Sequence, residues 1–404
     1  MKLKKLFVFI LLFNEVSALN LVISSNNDIS GDYSNNTNNG IIINSSNSGN
    51  PWLVNIISDV KSNNNSGNSG IYASGGKVSF FGNGSTNLYL EKNGQTGIYV
   101  TNSILNIYNT NIYANENNYK GVFASTGAKI NILGNGSNIL QVNGNKIQDG
   151  IHASASNSSY IEIKDMNIES KNNGRYGISS HNSGAKVYIS GNGNNTLILE
   201  NNKNAGVFAG NTSSSVTIEN MKIFAKDNLL FNSQSTGKIY LNNVITNISD
   251  NSVLFLADSG EGYFDVNDSI LSNEILTQSS AISNVTLKNT TWKNIGKSNI
   301  SNLTLDNIKI YMNTSALDPI NSDKLTILKS SIGNGILYIT HIGNDNPDTE
   351  VMVVDQSMLI SSDANANFSL YGGKIDDGAL EYELFKGSND GVDTNSFFFV
   401  LLEN

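Results

Sequence analysis

A four-residue signature recurs through the first half of the chain and limits what the chain can fold into. It is a glycine, then Ile or Val, then an aromatic residue, then a small residue. It occurs at Gly70-Ile71-Tyr72-Ala73, Gly97-Ile98-Tyr99-Val100, Gly121-Val122-Phe123-Ala124, Gly150-Ile151-His152-Ala153, Gly206-Val207-Phe208-Ala209 and, in degenerate form, Gly177-Ile178-Ser179-Ser180. The six glycines follow one another at 24 to 29 residues. Such a period is typical of solenoids and related repeat architectures.

Each period contains two further short strands, such as Lys77-Val78-Ser79-Phe80 and Asn87-Leu88-Tyr89-Leu90, separated by turns rich in Asn, Gly and Ser. Three strands per period is the count for one coil of a triangular β-helix. A second pattern, apolar residues alternating with polar ones, predicts a stacked inner column, because alternate side chains of a strand point to the same face. Its members are Phe80, Ile107, Ile132, Ile163, Ile189, Ile218, Leu241, Val266, Leu287, Leu305 and Ile327.

The predicted fold class is therefore all-β: a right-handed parallel β-helix with three short strands per coil, roughly eleven coils and a C-terminal β-hairpin cap. The strict six-residue repeat of left-handed solenoids and the Gly-Gly-x-Gly-x-Asp repeat of calcium-binding solenoids do not occur in the sequence. Asparagines in the turns are expected to stack and to form hydrogen bonds between coils.

Four segments are predicted along the chain. Residues 1–18 form a signal peptide, because Lys2, Lys4 and Lys5 precede eight apolar residues and the small-residue pattern Val16-Ser17-Ala18. Residues 19–69 are N-terminal capping or irregular coils, residues 70–347 the parallel β-helix, and residues 348–404 a capping module with aromatic strands. We therefore expect export through the signal peptide, to the cell surface or outer membrane of a Gram-negative bacterium or into the medium.

Charge excludes one class of partner. Removal of residues 1–18 takes away three lysines and one glutamate and changes the net charge from −9 to −11. Arg175 is the single arginine of the sequence. Such a surface lacks the cationic track that nucleic-acid backbones require, so no nucleic-acid partner is expected. The same balance of charges is unfavourable for binding anionic polysaccharides.

The sequence has no cysteine, and a solenoid with a continuous core needs no disulfides.

The C-terminal segment resembles a known family. Residues 373–384, with Gly378, Tyr382 and Leu384, followed by Phe397-Phe398-Phe399-Val400-Leu401, resemble the end of pertactin-like autotransporter passengers. In that family a D-x-G-x-x-x-Y-x-L strand and a later aromatic strand close the β-helix, and Asp376 or Asp377 matches the first position. The resemblance implies a surface passenger domain that contacts the membrane only through a translocator barrel, which lies outside this chain.

No catalytic, cofactor-binding or metal-binding residue is predicted, and no cofactor. Asp376-Asp377 is interpreted as a hairpin turn, and Asp258-Ser259-Gly260 as a strand-to-turn segment rather than a protease nucleophile loop. Arg175 is interpreted as a lone surface residue. His152 is interpreted as a structural substitute for the aromatic residue of the signature. His152, His181 and His341 show no metal-ligand spacing.

Three functions fit these observations. The preferred one is a non-enzymatic adhesin or structural scaffold that contacts host or bacterial surface glycans or proteins through its turns and loops. The alternatives are a carbohydrate-active β-helix enzyme, a lyase or glycosidase, and a self-associating surface protein in cell aggregation. Three or more carboxylates converging in one groove would overturn the preference for the adhesin or scaffold over the enzyme.

Overall fold

The computed structural model describes residues 20–44, 51–154, 158–314, 322–341, 350–377 and 380–402. Within these ranges the secondary structure is entirely β, with 38 strands and no helix. Accordingly, none of the described residues belongs to a helix with the length and hydropathy to cross a membrane. The predicted signal peptide, residues 1–18, lies outside the described residues.

One face of the solenoid, here called face A, is an eleven-stranded parallel sheet with one strand from each coil. It contains the glycine signature. Its strands are β1 (Leu21–Ile23), β3 (Ile41–Asn44), β5 (Ile71–Ser74), β8 (Thr96–Thr101), β11 (Lys120–Ser125), β14 (Ile151–Ser154), β17 (Tyr176–His181), β20 (Ala205–Gly210), β23 (Leu229–Gln234), β26 (Val253–Ala257) and β29 (Glu274–Thr277). The predicted parallel β-helix of about eleven coils is confirmed.

The second face, face B, continues each coil around the first corner. Its strands are β2 (Asn27–Asp32), β4 (Trp52–Lys61), β6 (Lys77–Phe81), β9 (Ile104–Tyr108), β12 (Lys129–Leu133), β15 (Tyr160–Lys164), β18 (Lys186–Ser190), β21 (Ser215–Glu219), β24 (Gly237–Asn242), β27 (Glu261–Asn267), β30 (Ile282–Lys288) and β32 (Lys297–Thr314).

The third face, face C, completes the triangle. Its strands are β7 (Asn87–Tyr89), β10 (Asn111–Tyr113), β13 (Ile139–Gln141), β16 (Asn167–Lys171), β19 (Thr196–Glu200), β22 (Lys222–Ala225), β25 (Ile245–Ile248), β28 (Ile270–Ser272), β31 (Thr291–Lys293) and β33 (Lys324–His341). The long strands β2, β4, β32 and β33 extend over both face B and face C.

The inner column of face B follows the predicted order from Phe80 to Leu305 in unbroken register. The prediction for Ile327 is wrong, because Ile327 pairs with Ile300, and the partner of Leu305 is Gly333. The cause is the length of the step, because the partner of Leu305 lies 28 residues further on and Ile327 only 22. Two register shifts between β32 and β33 also displace the pairing by one residue. Gly333 has a φ of 100°, and a side chain there would collide with the carbonyl oxygen of Leu305. The irregularity is a bulge that apolar spacing does not reveal.

The recurring glycines of face A stack directly on one another. A Cβ on Gly97 would lie 2.7 Å from the carbonyl oxygen of Gly121, and a Cβ on Gly121 would lie 2.6 Å from that of Gly150. The backbones therefore approach too closely at this corner for any side chain, which explains why the signature begins with glycine.

A column of buried amides follows the corner between face C and face A. Each side chain or backbone N–H donates to the side-chain oxygen one coil further toward the C-terminus. Its members are Asn36, Asn65, Asn93, Asn117, Asn145, Asn173, Asn202 and, at the end, Asp227. All of them are at most 5% exposed. The predicted asparagine stack is confirmed, and its last member is a carboxylate that only accepts.

The C-terminal end is closed by four antiparallel strands. Strand β34 (Glu350–Asp355) pairs with β38 (Phe397–Leu402), β38 pairs with β37 (Leu380–Lys386), and β37 pairs with β36 (Lys374–Asp377). The predicted hairpin cap is therefore present. Strand β35 (Ala364–Leu370) differs, because it pairs in parallel with β33 and continues the ladder inside the segment predicted as the cap. The predicted segment boundaries at residues 69 and 347 stay predictions.

Candidate functional site

The outer surface of face A carries a row of stacked rings. Tyr72, Tyr99, Phe123 and His152 pair in register on successive strands. Their ring centroids are 5.5, 5.0 and 5.2 Å apart in that order. His152 thus occupies the aromatic position of the signature, as predicted.

The next position of the row is Ser179, and its place in the stack is filled by another residue of the same strand. The His181 ring lies 5.1 Å from the His152 ring and 4.5 Å from the Phe208 ring. The small Ser179 side chain leaves the space that the imidazole enters. His152 and His181, which lie far apart in sequence, are thus brought together by adjacent coils. His341 ends β33, on a different face.

A buried carboxylate lies beneath this row. The Asp149 side chain has no exposed surface, and it is bound by three side chains. Arg175 Nε and Nη2 donate to Oδ1 and Oδ2 at 2.9 and 2.8 Å, Ser179 Oγ donates to Oδ2 at 2.7 Å, and His152 Nδ1 lies 2.5 Å from Oδ2. The interpretation of Arg175 as a lone surface residue is wrong. Its guanidinium compensates a charge that would otherwise be costly to bury.

Burial and charge set the protonation of the cluster. Although burial alone would raise the pKa of Asp149, hydrogen bonds from Arg175 and His152 hold that pKa well below its usual range. Burial lowers the pKa of His152, lowers the pKa of His181 to about 3 and lowers the pKa of Lys120 to about 8. At neutral pH the cluster therefore contains an ionised Asp149 and two neutral imidazoles.

Ligand atoms of Asp149, His152 and His181 all lie within 4.8 Å of one another, a spacing compatible with a metal ion. Both carboxylate oxygens already accept bonds from Arg175, and the backbone N–H of Tyr176 donates to Oδ1 as well. A cation would have to displace a guanidinium from its carboxylate, so the donor set does not suit a metal. That no residue here binds a metal stays a prediction.

The trio Asp149, His152 and Ser179 also lacks the connectivity of a serine nucleophile. In such triads the aspartate and the serine contact different ring nitrogens of the histidine. Here Ser179 Oγ and Asp149 Oδ2 both lie near His152 Nδ1, at 2.7 and 2.5 Å, and the serine donates to the aspartate. The arrangement is a hydrogen-bonded network that fixes the outer side of face A.

A groove of about 770 Å³ lies on face B, and its outward residues form two columns across five strands. The first column reads Tyr160, Lys186, Ser215, Lys238 and Tyr263. The second column reads Glu162, Tyr188, Thr217, Tyr240 and Asp265. Each column has small hydroxyl residues at its centre, on β21, and larger residues on both sides, so the surface is depressed over β21.

The charged and aromatic groups of this groove are accessible. The two acidic residues of the columns, Glu162 and Asp265, stand at the two ends of the second column and do not line the groove itself. Within the described parts of the chain neither Lys186 nor Lys238 forms an ion pair, and Lys238 Nζ lies 5.1 Å from the centroid of the Tyr263 ring. Elsewhere, tyrosines on adjacent coils cover one another, as in Tyr89 and Tyr113, whose ring centroids are 5.0 Å apart. In the groove a Lys, Ser or Thr separates each tyrosine from the next, so the ring faces stay uncovered by other rings.

A second groove, of about 540 Å³, contains three carboxylates: Asp250, Glu274 and Asp323. Asp323 Oδ2 accepts from the backbone N–H of Asn313 at 2.6 Å, and Glu274 Oε1 accepts from that of Lys297 at 2.9 Å. Burial raises the pKa of Asp323. Two of the three carboxylates thus hold the backbone of neighbouring coils, and in the described residues this trio does not reach metal-ligand spacing.

Two other sequence features can be placed. Asp376 and Asp377 are the last residues of β36 and pair in antiparallel register with Glu381 and Leu380, so they belong to a strand of the hairpin and not to a turn as interpreted from the sequence. Residues 378 and 379 lie outside the described residues. Asp258, Ser259 and Gly260 connect β26 to β27, and Ser259 Oγ donates to Gln234 Oε1 at 2.7 Å. The strand-to-turn interpretation is confirmed.

The family comparison concerns the C-terminal third of the chain. Residues 281–393 match the family model described as Pertactin. This segment is pertactin-like. The resemblance predicted from residues 373–401 is confirmed, and it reaches back to β30, so the pertactin-like segment includes the last coils as well as the β36–β37 hairpin.

Within the pertactin-like segment, two motif positions are structural. Tyr382 is 1% exposed and stacks on Phe399 with a centroid distance of 4.8 Å, and Leu384 packs against the core.

No curated protein matches the chain.

Two solved structures align with the chain. The Haemophilus influenzae Hap adhesin is 14% identical over 90% of this chain and 42% of that chain, with a TM-score of 0.35. The autotransporter UpaB from E. coli strain CFT073 is 13% identical over 95% of this chain and 100% of that chain, with a TM-score of 0.35. The chain thus spans less than half the length of the Hap structure. At these TM-scores neither alignment bears on shape or function.

Proposed function

We propose that this chain is the exported passenger of an autotransporter and acts at the cell surface as a non-enzymatic adhesin. The pertactin-like segment and the signal-peptide pattern of residues 1–18 support export. If the signal peptide is cleaved after Ala18, the exported protein begins at Leu19, and N-terminal sequencing of protein secreted from expressing cells tests this.

The observation that carries the adhesive role is the groove on face B. It combines four tyrosines whose rings do not stack on one another, two lysines that form no ion pair among the described residues, and several hydroxyl groups on a rigid sheet. Exposed aromatic and cationic side chains are common anchors of recognition surfaces.

Adhesion of beads coated with the mature chain to epithelial cells tests the proposal. We expect the double variant Tyr188→Ser/Tyr240→Ser to lower the number of attached beads several-fold. Tyr119→Ser, which removes an exposed tyrosine outside the groove, is the matched control and should adhere like the parent chain. Unchanged adhesion of the groove variant would contradict the proposal.

The second groove favours a second candidate, a carbohydrate-active enzyme. Asp250, Glu274 and Asp323 line one depression, and a glycosidase or lyase needs such carboxylates. Release of reducing ends or unsaturated sugars from a panel of polysaccharides, abolished by Glu274→Gln, would establish this activity. We favour the adhesin because two of the three carboxylates already bind the backbone.

A further inference from the structure

We infer that the groove on face B binds a glycan through a single carboxylated sugar, and that two lysines beside its centre receive the carboxylate. The inference rests on the proposed function, since it names the ligand class of the proposed adhesive surface.

The spacing of the tyrosines fits one sugar ring. Tyr188 and Tyr240 flank Thr217 on strands two apart. Strands of a sheet are about 4.8 Å apart, so the two tyrosines are separated by about 10 Å. A ring inserted between two aromatic rings needs about twice a stacking distance of roughly 5 Å. The depression over Thr217 therefore has room for one ring-shaped group between the two tyrosines.

The charge of the groove selects an acidic ring. Lys186 and Lys238 lie on either side of Ser215, in the column next to the tyrosines. On the neighbouring strand Lys164 is neutralised, because its Nζ is 2.7 Å from Glu162. The groove lysines have no such partner in the described residues, and two ammonium groups flanking a hydroxyl suit a carboxylate.

The rest of the chain limits how much negative charge the ligand can carry. The mature net charge of −11 repels an extended polyanion, and two lysines do not compensate a long row of carboxylates or sulfates. One acidic unit on an otherwise neutral glycan avoids that repulsion. The expectation that anionic polysaccharides bind poorly is thus compatible with a local site for one acidic sugar.

The edge of the groove also offers an unused hydroxyl. Thr236 Oγ1 is buried and has no hydrogen-bond partner, and Thr236 has a φ of 68°. A β-branched residue at such a φ is strained, and strain of this kind concentrates at functional sites.

The same features disfavour a peptide. Strands β18, β21 and β24 are each paired on both sides, so no strand edge is free for an added peptide strand. Val187 is the single aliphatic residue of the lining, so the groove offers no apolar pocket for a side-chain anchor. Hydroxyl groups and open rings are instead the groups that sugars use.

Titration calorimetry with the mature chain tests the inference. The probes are trisaccharides that end in one sialic acid or one glucuronic acid, each beside its own methyl ester, with heparin as a polyanion. We expect at least one acidic trisaccharide to bind about tenfold more tightly than its ester, and Lys186→Gln/Lys238→Gln to abolish that difference. Lys203→Gln, an exposed lysine outside the groove, is the matched control and should change nothing.

Three outcomes would overturn the inference: no acidic trisaccharide binds better than its ester, the double lysine variant retains the preference, or heparin binds more tightly than every trisaccharide. The proposed function fails separately, when Tyr188→Ser/Tyr240→Ser leaves cell adhesion unchanged. If that variant loses adhesion while esters bind as well as acids, the groove is adhesive and the ligand class named here is wrong.

Discussion

Arg175, in the turn before β17, donates two hydrogen bonds to Asp149, which lies one coil earlier and has no exposed side-chain surface. Removing one partner of a buried ion pair leaves an uncompensated charge, which costs about 3–5 kcal/mol. We therefore expect Arg175→Gln to lower the free energy of unfolding by about 3 kcal/mol, measured from the urea midpoint. Lys92→Gln breaks an exposed pair with Glu116 and should cost less than about 1 kcal/mol. Equal effects of the two changes would contradict the role given to Arg175.

His152→Phe separates two interpretations of the histidine. If His152 only filled an aromatic position, phenylalanine would replace it without loss, since Phe123 and Phe208 occupy the same row. We expect a loss of about 1.5–3 kcal/mol instead, because Asp149 loses a hydrogen bond to its charged oxygen. Thermal unfolding monitored by circular dichroism is the measurement. A melting temperature equal to that of the parent chain would show that His152 only fills an aromatic position.

The carboxylate at the end of the asparagine column predicts a pH effect of unusual sign. Burial raises the pKa of Asp227 to about 6, from an ordinary value of 3.8. A group whose folded pKa is raised gives the folded state its full benefit below pH 4, and that benefit is lost as the pH rises to about 6. Compared with Asp227→Asn, the parent chain should therefore lose up to about 3 kcal/mol between pH 4 and 6. Stability curves that stay parallel over this range would show that Asp227 does not titrate there.

Gly121→Ala tests the close approach of backbones on face A. A Cβ there would lie 2.6 Å from the Gly150 carbonyl oxygen and 2.8 Å from the Val142 side chain. Overpacking of this kind costs about 1–3 kcal/mol, and backbone separation adds to it. Gly193→Ala, in a turn with nothing within 4 Å, should cost only the strain of its φ of 88°, about 1 kcal/mol. Urea unfolding of both variants is the comparison, and a smaller loss for Gly121→Ala would refute the packing argument.

Tyr382→Ala tests whether the cap depends on its motif tyrosine. Tyr382 is 1% exposed and stacks on Phe399 across β37 and β38. Removing a buried aromatic side chain costs about 3–5 kcal/mol. Because a solenoid is stabilised by nearest neighbours, the loss should appear as early proteolysis of the cap, while the coils resist. Limited proteolysis with mass spectrometry locates the first cut, and a first cut among the coils of β5 to β24 would contradict this.

The sequence predicts the coils well because each coil repeats the same physical problem. An inward residue such as Ile107 must pack on Phe80 below and Ile132 above, so apolar spacing reveals the column. The prediction fails at Ile327, because an apolar residue in a strand pattern follows Leu305 after 22 residues, whereas its true partner, Gly333, follows after 28 and is not apolar.

The polar cluster was not predicted, although its signal is present. Residues one period apart become neighbours on adjacent coils, and Arg175 follows Asp149 by 26 residues, as Ser179 follows His152 by 27. Metal-binding and catalytic motifs of other folds are recognised from residues only a few positions apart. Such motifs cannot reveal pairs of residues that are one coil apart. The groove could not be predicted from the sequence for the same reason. The adjacency of Tyr188, Thr217 and Tyr240 is evident only once the register of their strands is known.

The asparagine column has a consequence for how the rod can change length. From Asn36 to Asp227, the backbone N–H of each member donates to the side-chain oxygen of the next member one coil further on, so each joint between coils presents the same donor and the same acceptor. A coil inserted anywhere before Asn202 would meet matching groups above and below, while Asp227 would still end the series. The column therefore has a direction and a fixed end, and gene duplication before Asn202 can lengthen the rod without redesigning either neighbour of the new coil.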